Sequence, residues 1–190
     1  MTVSLTSLKQ SLHAGLTAVA QGADPALIYH SNAQLWASHP FNQLQGLEAI
    51  RRVWSQLRYA LPDMQRRDQI FVAGNSKADA RMPDDLEGRV LVASMGHYQG
   101  SFVNDLCGIP ATHGVVNLRV CEVHHLVEGK IAQSYVMLDL LDLMGQAGCW
   151  PIAPSLGAEG MWSGPATNDG VRLHTSDPSG GQTAFDTVIA

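Results

Sequence analysis

The chain has 190 residues and 45% of them are hydrophobic, so it can bury the core of one domain, or of one domain plus an extension. Lys and Arg number 12 against 17 Asp and Glu, and the net charge of −5 argues against a nucleic-acid-binding protein, which needs a basic surface. No apolar run approaches the roughly 20 residues that a membrane-spanning helix requires.

The N-terminal part contains three segments in which apolar residues recur with helical spacing. Residues 4–20 place leucines three and four residues apart, with Ser4 or Thr6 available as a cap. Residues 24–36 begin with Asp-Pro, a favourable pair for a first helical turn. Residues 46–61 carry a third apolar stripe. The pattern therefore predicts three helices before any strand.

After the third helix the apolar period changes from 3.6 to 2, which is typical of strands. A turn at Gly74-Asn75 and a polar loop to Gly88 interrupt the pattern, and Glu128-Gly129 is a two-residue hairpin turn. A final helix is predicted over residues 139–147. The predicted strands are residues 69–73, 89–99, 115–127 and 130–138. Helices followed by a meander of strands predict an α+β domain, with the helices on one face of an antiparallel sheet.

The Glu128-Gly129 turn predicts the register of the last hairpin, because side chains alternate between the two faces of a strand. If Val127 pairs with Lys130, ionisable and apolar residues share one face. Carboxylates and a histidine in apolar surroundings have shifted pKa values and can perform acid/base chemistry, although the same face could be a solvated sheet edge. The residues of this face are Leu118, Val120, Glu122, His124, Leu126, Ile131, Gln133, Tyr135, Met137 and Asp139.

Two further positions, Asp139 and His97, each allow a structural and a catalytic interpretation. Asp139 precedes the last predicted helix, so it is an N-cap, an acid/base residue or both. His97 has glycines at 96 and 100, which indicate a close backbone approach or a bulge, and its role is structural or catalytic. His124 and His125 point to opposite faces of a strand and cannot readily bind one ion, so we predict no metal site.

Composition divides the chain near Cys149. The three cysteines, at 107, 121 and 149, have no paired spacing, which is typical of reduced thiols and predicts a cytoplasmic protein. Beyond Cys149 the chain is rich in Pro and Gly. We interpret residues 1–148 as the domain and residues 149–190 as an extended tail.

Five short segments along the chain form an ordered set. They are LPD (61–63), GHYQGSF (96–102), CGIPAT (107–112), EGKI (128–131) and LDLLDLMGQAG (138–148). In this order they resemble the SnoaL-like polyketide cyclase, or ester cyclase, family. The resemblance implies the nuclear transport factor 2-like fold, in which a curved antiparallel sheet and helices enclose a conical apolar pocket. Residues 149–170 are similar to the linker of longer members that carry a second copy of the fold.

The resemblance implies a cofactor-independent cyclase that closes a ring in a small hydrophobic keto ester by intramolecular aldol chemistry. Asp139 matches the acid/base aspartate of the family and His97 its strand histidine. With them we expect Glu122 and His124 to be catalytic. The expected substrate-binding residues are Trp54, Val120, Gln133, Tyr135 and Met137.

Two other functions remain open. One is a non-catalytic small-molecule-binding or dimerisation module, since fold alone does not determine function. The other is isomerisation or epoxide hydration in the same pocket. Epoxide hydration needs an arginine and a second acid around a water, and Arg119 alternates onto the opposite face from Glu122. Under each interpretation we expect a homodimer.

Overall fold

The computed structural model of the chain describes residues 4–76, 88–153, 156–157, 167, 169–174 and 178–189. Helices and a run of successive strands form an α+β fold, which confirms the predicted class. The predicted loop after residue 76 lies largely outside the described residues. The elements are α1 (Leu5–Ala20), a 3-10 turn (Pro25–Leu27), β1 (Tyr29–Ala37), β2 (Gln43–Gln45), α2 (Leu47–Ala60), β3 (Gln65–Asn75), β4 (Val90–Ser101), β5 (Val115–Val127), β6 (Lys130–Leu138), α3 (Leu140–Gln146), β7 (Gly170–Val171) and α4 (Pro178–Ile189).

The strands form one seven-stranded sheet in the order β2-β1-β6-β5-β4-β3-β7. Neighbouring strands are antiparallel except at β1–β6 and β3–β7, which are parallel. The sheet is therefore mixed rather than wholly antiparallel as predicted. No helix of the described residues is long and apolar enough to cross a membrane.

The predicted helix over residues 24–36 is wrong. The Asp24 side chain accepts a hydrogen bond from the Ala26 N–H and begins a 3-10 turn, and the chain then enters β1. Within β1, Tyr29, Ala33 and Leu35 are buried. Parallel pairing with β6, a strand far along the chain, overrides the local helical pattern.

Helices α1 and α2 cover one face of the sheet, which we call the inner face. Ser4 is the N-cap of α1 and accepts a hydrogen bond from the Ser7 N–H at 3.2 Å. The helices and the inner face bury a continuous apolar core. Its members include Leu12, Leu16, Val19, Ile50, Trp54, Leu57, Phe71, Val92, Leu118, Val120, Ile131 and Leu138.

A β-bulge changes the predicted register of the last hairpin. The two pairs nearest the turn form as predicted, but His125 then pairs with Gln133, so Ala132 is an extra residue in β6. Glu122 consequently lies opposite Val136. A slip of one residue moves every following side chain to the other face of the sheet.

The bulge places three predicted substrate-binding residues on the opposite, outer face, so the prediction that they share a face with Glu122 is wrong. Tyr135 is 46% exposed and stacks on Trp36, with 4.8 Å between the ring centroids. Met137 is 68% exposed. Gln133 contacts the Nδ1 of His125 through its side-chain oxygen at 3.1 Å.

The C-terminal segment adds to the far edge of the sheet. Strand β7 pairs with Ile70 and Phe71 of β3. The buried Lys9 of α1 donates a hydrogen bond from Nζ to the backbone oxygen of His174 at 3.1 Å. Part of the predicted extended tail therefore has regular structure and packs against the domain.

Replacing Gly96 with Ala is expected to lower the free energy of unfolding by about 1–3 kcal/mol, because an added Cβ would lie 2.1 Å from the backbone oxygen of Arg67. Gly96 lies beside a bulge in β3, which confirms the close approach predicted around His97. Gly74→Ala is the control, since no atom lies within 4 Å of that Cβ position. Equal losses in urea unfolding would contradict this contact.

Candidate active site

Charged and polar side chains meet at the centre of the otherwise apolar inner face. They come from three adjacent strands, because alternation directs these residues of β3, β4 and β5 toward α1 and α2. Burial of charge is costly and therefore marks a candidate functional site. We call this group the interior cluster; it consists of Arg66, Asp68, Ser94, Tyr98, Glu122 and His124.

Arg66 is the centre of the interior cluster, with 1% of its side chain exposed. Its Nε donates to Asp68 Oδ2 at 2.8 Å, and its Nη2 lies 2.8 Å from Oδ1, so the pair is bidentate. Nη2 also donates to Ser94 Oγ at 2.7 Å, and Nη1 lies 2.5 Å from Glu122 Oε2. Nη1 further donates to the Tyr98 hydroxyl at 3.4 Å. These contacts fix the plane of the guanidinium.

Glu122 is the carboxylate of the cluster that faces a cavity. It accepts hydrogen bonds from the Tyr98 hydroxyl at 2.5 Å and from Ser94 Oγ at 3.0 Å, and His124 Nε2 lies 3.6 Å away. Burial alone would raise the pKa of Glu122, but the positive charge of Arg66 and the contacts with His124 and Tyr98 hold it well below its ordinary value. Glu122 is therefore ionised.

Two tyrosines beside Glu122 remain protonated. Burial and then the charge of Glu122 raise the pKa of Tyr98 well above its ordinary value. The same two causes raise the pKa of Tyr29 to about 12. The Nδ1 of His124 forms a hydrogen bond with the Oγ of Ser134 at 2.8 Å. The site thus combines an ionised carboxylate with neutral O–H donors.

The cavity at Glu122 is small, with a volume of about 20 Å³, which is room for one water. The apolar pocket that the resemblance implies is thus nearly filled in this conformation. Trp54 lines the cavity, whereas Val120 is buried on the same face but does not line it. The lining residues are Tyr29, Leu35, Ala37, Val53, Trp54, Leu57, Tyr98, Glu122, Val136 and Leu138.

Asp139 lies outside this cavity, at a larger groove of about 580 Å³ on the outer face. Its side chain accepts a hydrogen bond from the Asp142 N–H at 2.9 Å, which confirms the N-cap interpretation. Its Oδ2 also lies 3.4 Å from Arg119 Nη1. We call this the outer groove; it is lined by Ser38, His39, Met95, Arg119, Cys121, Met137, Leu138, Asp139, Leu140 and Leu141.

His97 pairs with Arg119 across β4 and β5, on the same outer side as Asp139. Burial and the charge of Arg119 lower the pKa of His97, with Asp142 opposing them. The structure therefore divides the four expected catalytic residues into two pairs. Glu122 and His124 lie inside, whereas Asp139 and His97 lie outside.

Four residues of the site, Arg66, Asp68, Tyr98 and Tyr29, are not among the predicted site residues. The apolar pattern begins β3 at residue 69, four residues later than the structure does, and so places Arg66 and Asp68 in a connection. A signal was present, because residues two apart in a strand share a face, and an alternating Arg and Asp suggests a paired polar face.

No protein-family model matches the chain, and the curated proteins contain no significant match. Solved structures do share its fold. One is a protein described as a SnoaL-like polyketide cyclase from a Jannaschia species, with a TM-score of 0.57 and 15% identity, covering 80% of this chain and 99% of that one.

Two other structures support the same fold. IdmH from Streptomyces antibioticus, described as a polyketide cyclase, has a TM-score of 0.57 and 17% identity over 76% of this chain and 99% of its own. SalBIII, an epoxide hydrolase/cyclase-like enzyme of pyran ring formation in the polyether salinomycin, has a TM-score of 0.52 and 17% identity over 70% and 92%. The chain therefore has the SnoaL-like fold that the sequence resemblance implied.

Proposed function

We propose that the chain is a cofactor-independent acid/base enzyme that closes a ring in a small hydrophobic substrate between α2 and the inner face of the sheet. The observation that carries this proposal is a buried carboxylate, that of Glu122, at the wall of a cavity. Arg66 holds it in place, and it faces an apolar-walled cavity together with Tyr29 and Tyr98. In this proposal Glu122 takes the role of base that the resemblance gave to Asp139.

The contact between Glu122 and the positive charge of Arg66 favours one class of reaction, because it makes the carboxylate a weak base. A weakly basic carboxylate removes a proton from carbon poorly, but it can accept the proton of a hydroxyl whose oxygen is attacking an electrophile. An epoxide supplies that electrophile. The hydroxyl oxygen bonds to one epoxide carbon, that carbon's bond to the epoxide oxygen breaks, and Tyr98 or Tyr29 protonates the leaving oxygen. Return of the proton from Glu122 to the tyrosine completes the cycle and leaves a cyclic ether.

The proposed reaction requires movement of a wall of the cavity. A cavity that holds one water cannot hold an epoxy alcohol, so the substrate must displace side chains of α2 or β6. Val53, Trp54 and Leu57 form the α2 wall, and they are apolar. Apolar contact with the substrate can replace the packing lost when the wall moves.

The outer groove supports a second candidate function, the aldol closure of a keto ester. Arg119 lies 3.4 Å from Asp139, where it could stabilise the oxygen of an enolate formed by Asp139. Asp139 is partly exposed and lies in a groove large enough for a small substrate. This candidate keeps Asp139 as the base that removes and returns the proton.

A panel of hydrophobic epoxy alcohols and β-keto esters separates the two candidates. With Glu122→Gln, we expect conversion of epoxy alcohols to cyclic ethers to fall about 100-fold or more, because the proton acceptor is lost. Asp139→Asn is the matched control; it removes the charge but keeps a good N-cap, and we expect turnover within a few-fold of wild type. Products are measured by mass spectrometry.

The opposite pattern would overturn the proposal. Solvent-deuterium exchange at the α-carbon of a β-keto ester that is lost in Asp139→Asn but kept in Glu122→Gln would establish the outer groove as the site. Binding of panel members without turnover or exchange would favour the non-catalytic module.

A further inference from the structure

We infer that His13 of α1 is a positioning residue for Arg66 and, through Arg66, for Glu122; this inference deepens the proposed function and depends on it. His13 Nε2 lies 3.1 Å from Asp68 Oδ2. The same oxygen accepts the hydrogen bond from Arg66 Nε at 2.8 Å. His13 thus contacts Asp68, the residue that orients the guanidinium of Arg66.

The surroundings of His13 hold its ring in one orientation. The ring meets Phe71 edge to face, with 4.9 Å between centroids and 86° between planes. Its backbone oxygen accepts a hydrogen bond from Thr17 Oγ1 at 2.9 Å. Leu12 and Leu16, its neighbours on α1, are buried in the core. These contacts therefore constrain the position of His13 independently of its contact with Asp68.

The exposure gradient indicates positioning rather than catalysis. The His13 side chain is 27% exposed, that of Asp68 is 5% exposed and that of Arg66 is 1% exposed. His13 does not line the cavity at Glu122. It lies at the solvent end of a line of contacts that passes through Asp68 and Arg66 to Glu122.

Loss of the His13 contact should loosen Arg66. Asp68 would keep Arg66 as a partner but lose a second donor on Oδ2, so its carboxylate could rotate. The bidentate pair fixes the plane of Arg66, so rotation of Asp68 would displace Nη1 from Glu122. Reacting groups lose about 100-fold in rate when misplaced by 1 Å, and supporting residues typically contribute about 10- to 100-fold.

The test compares His13→Ala with His13→Gln, which retains an N–H donor, and with His30→Ala as a control. His30 is a partly exposed histidine of β1 that contacts the backbone oxygen of Val127 instead. The first readout is exchange of the Arg66 Nε–H with solvent, followed by 15N NMR on the full chain. We expect exchange to quicken about tenfold or more in His13→Ala and to stay near wild type in the other two.

The second readout is turnover of the epoxy alcohols. We expect His13→Ala to lower kcat about 10-fold with KM within about twofold, and His13→Gln to restore it. Unchanged Arg66 exchange in His13→Ala would overturn the inference, and so would equal acceleration in all three variants, which would indicate general loosening. If wild type turns over no panel member but the exchange pattern holds, the proposed reaction fails while the positioning of Arg66 stands.

Discussion

Replacing Arg66 with Met is expected to lower the free energy of unfolding by about 3–5 kcal/mol, as measured by urea denaturation at pH 7. Arg66 is the positive partner of two buried carboxylates, Asp68 and Glu122. Met has similar length and packs well, so the loss comes mainly from leaving buried negative charge without its partner. Removal of one member of a buried ion pair is costly for this reason.

Two controls identify charge as the cause. Arg119→Met removes an arginine that is 25% exposed and paired with Asp139, and we expect a loss below about 1 kcal/mol. The double variant Arg66→Met/Glu122→Gln removes one of the stranded charges and should be more stable than Arg66→Met alone. Equal losses at Arg66 and Arg119, or a double variant less stable than Arg66→Met, would contradict the described contacts of Arg66.

Acidification from pH 7 to pH 3 is expected to destabilise wild type more than Glu122→Gln. The pKa of Glu122 is lower in the folded chain than in the unfolded chain. Its ionisation therefore contributes stability that is complete above the unfolded pKa of about 4.3 and is lost as the pH falls below it. Glu122→Gln has no such group and lacks this part of the pH dependence.

The comparison isolates Glu122 from other carboxylates. Hydrogen bonds from Arg51 to Asp24 and from Ser101 to Asp63 also lower the pKa of these two aspartates. Both are present in wild type and variant, so their effects cancel in the difference. Parallel curves of unfolding free energy against pH for the two proteins would contradict the ionised state of Glu122.

The sequence predicts the fold well where local chemistry decides the structure. The leucines of α1, the stripe of α2 and the Glu128-Gly129 turn each act within a few residues, and all three predictions are confirmed. Strand β1 was predicted as a helix because its structure depends on pairing with β6, which no local pattern contains.

The candidate site is predictable only in part because two local features, an extra residue in β6 and the start of β3, control its geometry. Ala132 is the extra residue of the bulge that moves Tyr135 and Met137 to the outer face. An alanine at this position does not by itself indicate a bulge. The early start of β3 brings Arg66 to Glu122. Glu122 and His124 share the apolar face, as predicted, because they belong to β5, which does not contain the extra residue and keeps its regular alternation.

Fluorine NMR of the chain labelled with 5-fluorotryptophan tests most directly whether a substrate enters between α2 and the sheet. Trp54 lines the cavity at Glu122, whereas Trp36 lies on the outer face and stacks on Tyr135. The chain has four tryptophans, and the variants Trp54→Phe and Trp36→Phe assign the signals of these two. On addition of a hydrophobic epoxy alcohol to saturation, the proposal predicts that the Trp54 signal shifts while that of Trp36 does not. A shift of Trp36 alone, or of neither signal, would contradict it.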